Sequence, residues 1–381
     1  MKYRLGEICD VVSGGTPSRA TAEFWDGGTI PWIKIGNIQR KYVDEADEYI
    51  TQAGLEGSSA KMLSAGTILF TIFATLGEVG ILTIEACTNQ AIAGITIKNQ
   101  SDILTDYLYY FLKSQKSCIA ALGRGVAQNN INLSILRNFE VPIPDLPMQK
   151  QIVAILDKTA KVVEVRQQQL QQLDELVKAR FVELFGDGNH PHIALIDLII
   201  EGAGLSYGIV QPGDDGTGDM GVLRPVDMVD GKISTASIKY IDRSIGDGFK
   251  KTELYGDELL ITVRGTTGIT ALTDIRFNGM NVTRGIAVVR YDRNKINPVY
   301  LNAYLNTDES QRYIQEHTRG ATLQRINLSD LRVQQIMVPP LALQEQMAAF
   351  IEQTDKSKSV VQKALDEAQL LFDSLMQQYF G

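Results

Sequence analysis

The sequence predicts an α+β protein in which one fold is written twice in tandem, each copy followed by a long helix. Three observations carry this reading: a set of motifs that returns at constant spacing, short β-branched runs punctuated by glycine, and two long stretches with seven-residue apolar periodicity.

The repeat is clearest near the middle and end of the chain. Ile131-Asn132-Leu133-Ser134 returns as Ile326-Asn327-Leu328-Ser329. At that same spacing Leu136 pairs with Leu331, Arg137 with Arg332, Pro144 with Pro339, Gln149 with Gln344, Gln151 with Gln346, and Phe185-Gly186 with Phe380-Gly381. Upstream, Arg124-Gly125 matches Arg319-Gly320, and Tyr107-Leu108 matches Tyr300-Leu301 at a slightly different spacing. Small insertions therefore separate the copies toward their starts.

Within each copy, runs such as Thr67-Ile-Leu-Phe-Thr-Ile72, Ala93-Gly-Ile-Thr-Ile97, Glu258-Leu-Leu-Ile-Thr-Val263 and Ile286-Ala-Val-Val289 read as strands separated by turns. A helical segment interrupts them, Leu104 to Ser117 in the first copy and Val299 to Thr318 in the second. The pattern changes at proline-rich hinges, Val141-Pro-Ile-Pro-Asp-Leu-Pro147 and Met337-Val-Pro-Pro340. Beyond the first hinge, Gln149 to Phe185 holds neither Gly nor Pro, and Leu156, Val163, Leu170, Val177 and Leu184 recur every seven residues. The second copy carries Ile351, Val361, Leu365, Leu371 or Phe372, and Leu375 on a similar stripe, interrupted by Lys358. Helices this long with one apolar side are expected to pack on each other, most simply antiparallel, which would relate the two modules by a pseudo-two-fold axis. The expected divisions are a first module at 1–147, a helix at 148–187, a second module at 188–342 and a second helix at 343–381.

Composition narrows the function. The chain has 381 residues, 44% hydrophobic, with 37 Lys+Arg against 45 Asp+Glu for a net charge of −8, as in ordinary globular proteins. Three cysteines and three histidines without CxxC or HxxxH spacing supply no disulfide framework and no zinc ligand set, so no metal is expected. No apolar stretch approaches the length of a membrane span, and the N-terminus lacks a signal-peptide pattern, so a cytoplasmic protein is expected.

Leu5-Gly6-Glu-Ile-Cys-Asp-Val-Val-Ser-Gly14-Gly15-Thr16-Pro17, Ile30-Pro-Trp-Ile-Lys34-Ile-Gly-Asn37-Ile, Gly256-Asp-Glu-Leu-Leu-Ile-Thr-Val-Arg264-Gly265-Thr266, and Ile131-Asn-Leu-Ser ahead of a Pro hinge and Gln-x-Gln-Ile form an ordered set. Over essentially its whole length the chain resembles the specificity subunit of Type I restriction-modification systems. The resemblance implies two target-recognition domains, each reading part of a split double-stranded DNA sequence, and spacer helices that dock two copies of a methylation subunit, with restriction subunits as further partners. It also implies a non-catalytic chain without a cofactor of its own, S-adenosylmethionine belonging to the methylation subunits.

Base reading favours Arg or Lys for guanine and Asn or Gln for adenine, presented from loops. In the first module the candidates are Thr16, Ser18, Arg19, Lys34, Asn37, Thr75, Gln90, Arg124, Gln128 and Asn129, with Ser13 and Asn89 beside them. In the second they are Arg224, Arg264, Thr266, Thr267, Arg284, Arg319, Thr322, Gln324 and Arg325, with Asp227 nearby. The recurring Arg124-Gly to Asn129 and Arg319-Gly to Gln324 loops are the strongest pair. On the helices, Gln149, Gln151, Gln168, Gln172, Gln344 and Gln346 are expected to face the partner subunits.

Rival enzymatic motifs are weak. Asn297-Pro298-Val299-Tyr300 imitates the signature of adenine methyltransferases, yet Asn before Pro also suits a helix start. Phe185-Gly186-Asp187-Gly188 imitates a cofactor loop but follows a helix rather than a strand. No GxxxxGK[ST] phosphate loop is present, and Asp44-Glu45-Ala-Asp47-Glu48 reads as a solvated loop rather than a nuclease site. A two-module protein scaffold and a self-contained DNA-modifying enzyme stand as the alternative readings.

Overall fold

The computed structural model describes residues 2–116, 119, 131–186, 188–211, 213, 216, 218–229, 231–321 and 323–381. The chain divides into two compact units, one of residues 1–168 with 361–381 and the other of residues 169–360.

The first unit is built on a five-stranded sheet in the order Cys9–Ser13, Ile92–Ile97, Ile68–Thr71, Val79–Leu82 and Tyr42–Val43, antiparallel except for the last pair. A second sheet sets Ile30–Ile33 between Glu48–Ile50 and Cys87–Thr88, the latter parallel. Strand Ile68–Thr71 is buried on both faces, which explains its continuous apolar run. One face meets helix Thr105–Ser114, whose Tyr107, Leu108, Phe111 and Leu112 are buried with it.

The second unit repeats the plan. Ser206–Tyr207, Ile286–Val289, Leu259–Thr262 and Thr270–Leu272 form one sheet, and Met220–Leu223 lies between Lys239–Ile241 and a parallel Asn281–Val282 in another. The expected single helix to Thr318 is two helices, Pro298–Leu305 and Asp308–Glu316. The Thr307 hydroxyl accepts from Ser310 N at 3.3 Å and starts the second one, so a capping residue divides the segment.

Local hydrogen bonds repeat as well. In each copy an N-terminal strand pairs antiparallel with the strand that precedes the hinge, Lys2–Arg4 with Glu140–Pro142 and His192–Ala194 with Gln335–Met337. The Tyr107 hydroxyl donates to Pro142 O at 2.6 Å, and the Tyr300 hydroxyl to Met337 O at 2.9 Å. Tyr300 is therefore a core residue. Asn297 Oδ1 accepts from Val299 N and Tyr300 N at 2.9 and 3.2 Å, so the methyltransferase-like tetrapeptide is a capped helix start.

Two 40-residue helices follow the hinges, Leu146–Phe185 and Leu341–Phe380, each about 60 Å long. In the first unit Met148 and Ile152 share a cleft with Gln378 and Tyr379, whereas Lys161 to Gln168 line one with Gln369 and Phe372. In the second unit Arg180 lies over the Phe350 ring, and Asp174 meets Lys358 at 2.6 Å. In both units one residue number rises as the other falls, so the helix segments pair antiparallel. Lys358, the interruption in the apolar stripe, is matched by a carboxylate on the facing helix. Where the sequence left Leu371 or Phe372 open, Phe372 is buried and Leu371 exposed.

Two expectations about the helix surface are corrected. Gln149 and Gln344 are completely buried. Gln149 Oε1 accepts from Leu104 N at 2.9 Å, while its Nε2 donates to Asp102 O and Pro144 O, both at 2.9 Å. Gln344 does the same in the second copy, accepting from Asn297 N at 2.8 Å and donating to Pro339 O at 2.7 Å. Each amide satisfies backbone groups at the start of the preceding helix and in the hinge, so neither faces a partner. Gln151, Gln168, Gln172 and Gln346 are exposed.

Candidate nucleic-acid interface

In each unit the described loops at the ends of the central strands are joined by backbone bonds that recur between the copies. Ile72 N donates to Ala91 O at 2.8 Å and Val263 N to Gly285 O at 2.7 Å; Ile131 N donates to Ile72 O and Ile326 N to Val263 O, both at 3.0 Å. Asn89 N donates to Ile33 O at 3.1 Å and Thr283 N to Leu223 O at 2.9 Å. These contacts equate the turn at 72–77 with that at 263–268, and the loop at 89–91 with that at 283–285. Tight backbone approach accompanies these bonds: a Cβ on Gly208 would lie 1.9 Å from Val282 O, and one on Gly14 2.3 Å from Thr88 O.

The turn itself is left-handed in both copies. Gly265 has φ +83°, and the equivalent Ala74 has φ +59°, a conformation disfavoured for an L-residue. A non-glycine residue held there at a loop tip marks the position as one whose shape is imposed by its surroundings. The preceding side chain differs between the copies, Arg264 in the second and Phe73 in the first.

In the second module Arg224, Arg264, Thr266 and Arg284 line one open cleft of about 540 Å³, with Val210, Val226 and Leu323 as apolar walls. The Arg319–Arg325 hairpin closes beside it: Arg319 and Arg325 exchange backbone bonds of 2.8 and 2.9 Å, and Gly265 N donates to Gln324 O at 2.9 Å. Arg264 rests 5.6 Å from the Tyr207 ring centroid, which pre-orients its guanidinium. Arg264, Arg284 and Arg325 make no ion pair with a carboxylate among the described residues, and Arg319 only a long one of 3.9 Å to Asp330. Arg224 is different. Its Nε and Nη2 donate to the buried Asp227 carboxylate at 3.1 and 3.0 Å, and its Nη2 also to Ser237 O, so it staples a turn. Thr267 is likewise engaged, hydroxyl to hydroxyl with Thr318 at 3.0 Å.

In the first module Thr16 donates to Gln90, which joins two predicted loops. Lys34 meets Glu48 at 2.6 Å and Arg19 meets the same carboxylate, while Arg19 also stacks 3.6 Å from the Trp25 centroid. The Lys34 ammonium, with help from Arg19 and against a desolvation cost, holds the Glu48 carboxyl below its usual range. Ser18 offers its carbonyl to Trp25 Nε1 at 3.0 Å. Asn37 Oδ1 is taken by Lys34 N at 2.8 Å, the same cap that Asp227 gives Arg224. Thr75 is exposed on the left-handed turn. Arg124, Gln128, Asn129 and Thr322 lie outside the described residues.

Sequence reasoning missed Glu48, Trp25 and Trp32. Glu48 ends an acidic run that the sequence suggests is solvated, yet it sits in a strand whose pairing with Ile30–Ile33 aims it at Lys34. Trp32 Nε1 donates to Gly15 O at 2.9 Å and so anchors the glycine loop. No group of three His, Cys, Asp or Glu side chains able to hold a metal occurs among the described residues, and no helix described there is long and apolar enough to cross a membrane.

A duplicated α+β module followed in each copy by a 40-residue helix defines a class of tandem-module α+β proteins. Residues 1–175 and 219–369 match the Type I restriction modification DNA specificity domain, and the chain belongs to that family. It is similar to the specificity subunit of the EcoR124I/EcoR124II Type I restriction enzyme of Escherichia coli, 33% identical over 160 residues; that match spans 40% of this chain and only 39% of the relative. The MjaIX specificity subunit of Methanocaldococcus jannaschii is 22% identical over 376 residues, covering 92% of this chain and 85% of that one. Among solved structures, the S subunit of a Type I restriction-modification system from M. genitalium aligns with a TM-score of 0.58 at 15% identity, over 100% of this chain and 96% of that one. The fold is therefore shared although most side chains are not.

Proposed function

We propose that this chain is the sequence-reading subunit of a Type I restriction-modification complex, in which each module reads one half of a bipartite duplex target. The observation that carries the proposal is the cleft in the second copy where Arg264 and Arg284, which meet no carboxylate among the described residues, stand on loops whose backbone bonds recur in the first copy. Unpaired guanidinium groups beside apolar walls suit base edges and phosphates. The exposed Gln151, Gln168, Gln172 and Gln346, together with exposed Val162, Leu176, Val182, Val360 and Leu370, give the long helices a mixed surface suited to docking two methylation subunits, and through them restriction subunits. Those partners would hold S-adenosylmethionine and perform the adenine methylation, leaving this chain to bind and position.

The test is methylation mapping of host DNA with and without the gene, repeated with Arg319→Ala/Gln324→Ala. A split motif should vanish without the gene, and the double variant should relax one half-site while the other stays intact. Equal loss at both half-sites would count against modular reading. A methylation pattern indifferent to the gene would favour a protein scaffold instead.

A further inference from the structure

The two modules share a backbone plan but not a charge plan. The recurring hydrogen bonds align Arg264 with Phe73 and Arg284 with Gln90. A further shared bond, Leu63 N to Ala86 O at 2.9 Å and Leu254 N to Met280 O at 2.7 Å, aligns Lys250 and Lys251 with Ser59 and Ala60. Four cations of the second module thus stand where the first has Phe, Gln, Ser and Ala.

These cations line two clefts that share Val210. Lys250 and Lys251 line a cleft of about 790 Å³ with Tyr207, Val210, Arg332 and one carboxylate, Asp247. Arg264 and Arg284 line the cleft of about 540 Å³. Lys250 and Lys251 are exposed, and none of the four meets a carboxylate among the described residues. In the first module the loop cations Arg19 and Lys34 share Glu48, as Arg224 is paired with Asp227 in the second. An ammonium or guanidinium without a counter-charge condenses on phosphates and releases their counterions, whereas one already neutralised releases few.

Resting on the DNA-reading proposal above, we infer that Lys250, Lys251, Arg264 and Arg284 make the second module a phosphate anchor, and that they contribute more to salt-dependent affinity than the neutralised pair Arg19 and Lys34 of the first. The ligand is the phosphate backbone of duplex DNA. Lys250 and Lys251, compact point charges beside a glycine-containing segment, extend the interface beyond the loops that the sequence singled out.

The experiment uses the full chain assembled with its methylation subunits and a duplex carrying the mapped motif, with binding measured from low to high salt. Lys250→Gln/Lys251→Gln should flatten the slope of log affinity against log salt by about 2 and weaken matched and mismatched duplexes alike. Arg264→Gln/Arg284→Gln should flatten it similarly. Arg19→Gln/Lys34→Gln should change it by less than about 1. Glu48→Gln, which removes the carboxylate that Arg19 and Lys34 share and leaves Lys34 only a 3.9 Å pair with Asp47, should steepen it, a gain that misfolding cannot imitate. An unchanged slope in the two second-module variants, or an equal flattening from the first-module pair, overturns the inference while leaving the DNA reading intact. Absence of salt-dependent binding by the unaltered assembly overturns both.

Discussion

Gln149 and Gln344 show how far a residue's role can lie from its type. Each buried amide closes three backbone groups that no strand or helix bond reaches. Replacing either with Ala strands a buried N–H and should cost about 1–3 kcal/mol, measurable by urea unfolding. A loss under about 0.5 kcal/mol would show that water replaces the amide. The repeat in the sequence marked both positions as special. Glutamine's usual preference for surfaces suggested a partner, and only the hinge, which folds the helix start over Leu104 and Asn297, turns them inward. The same distinction separates Arg224 from Arg264 and Arg284: Asp227, three residues along, was visible in the sequence, but its complete burial beneath Arg224 was not.

At the scale of elements, the long helices were legible because a seven-residue apolar period over some forty residues leaves few other structures. The break between Leu305 and Asp308 was not, since a Thr cap inside an otherwise helical stretch competes on equal terms with continuation. Burial also settles what periodicity left open on the second long helix. Phe372 packs 6.3 Å from the Tyr110 ring centroid and inside the first unit's core, whereas Leu371 faces outward. Phe372→Ala should therefore destabilise the protein by about 3–5 kcal/mol, and Leu371→Ala by no more than about 0.5 kcal/mol. Thermal unfolding of the two variants side by side checks the contrast, and similar losses would mean that the helix register is shifted.

For the whole molecule, the decisive quantity is the net charge of −8 set against local arginine clusters. On the proposed DNA reading, a protein acidic overall gains little long-range attraction for the duplex, so contact would come from short-range pairing at the module edges. The chain without its partners should bind duplex at about 50 mM salt and release it near 200 mM, a change that fluorescence anisotropy follows directly. Retention at the higher salt would show that the modules alone close enough contacts.

The sequence by itself determined the duplication, the α+β modules, the paired long helices and the family, because these depend on periodicity and on motif order, which are local and repeat. Tertiary structure alone decided which basic side chains are spent internally and which stay unpaired. Arg19, Lys34 and Glu48 are brought together by strand pairing across the module, and no spacing along the chain encodes whether a cation finds its carboxylate at home.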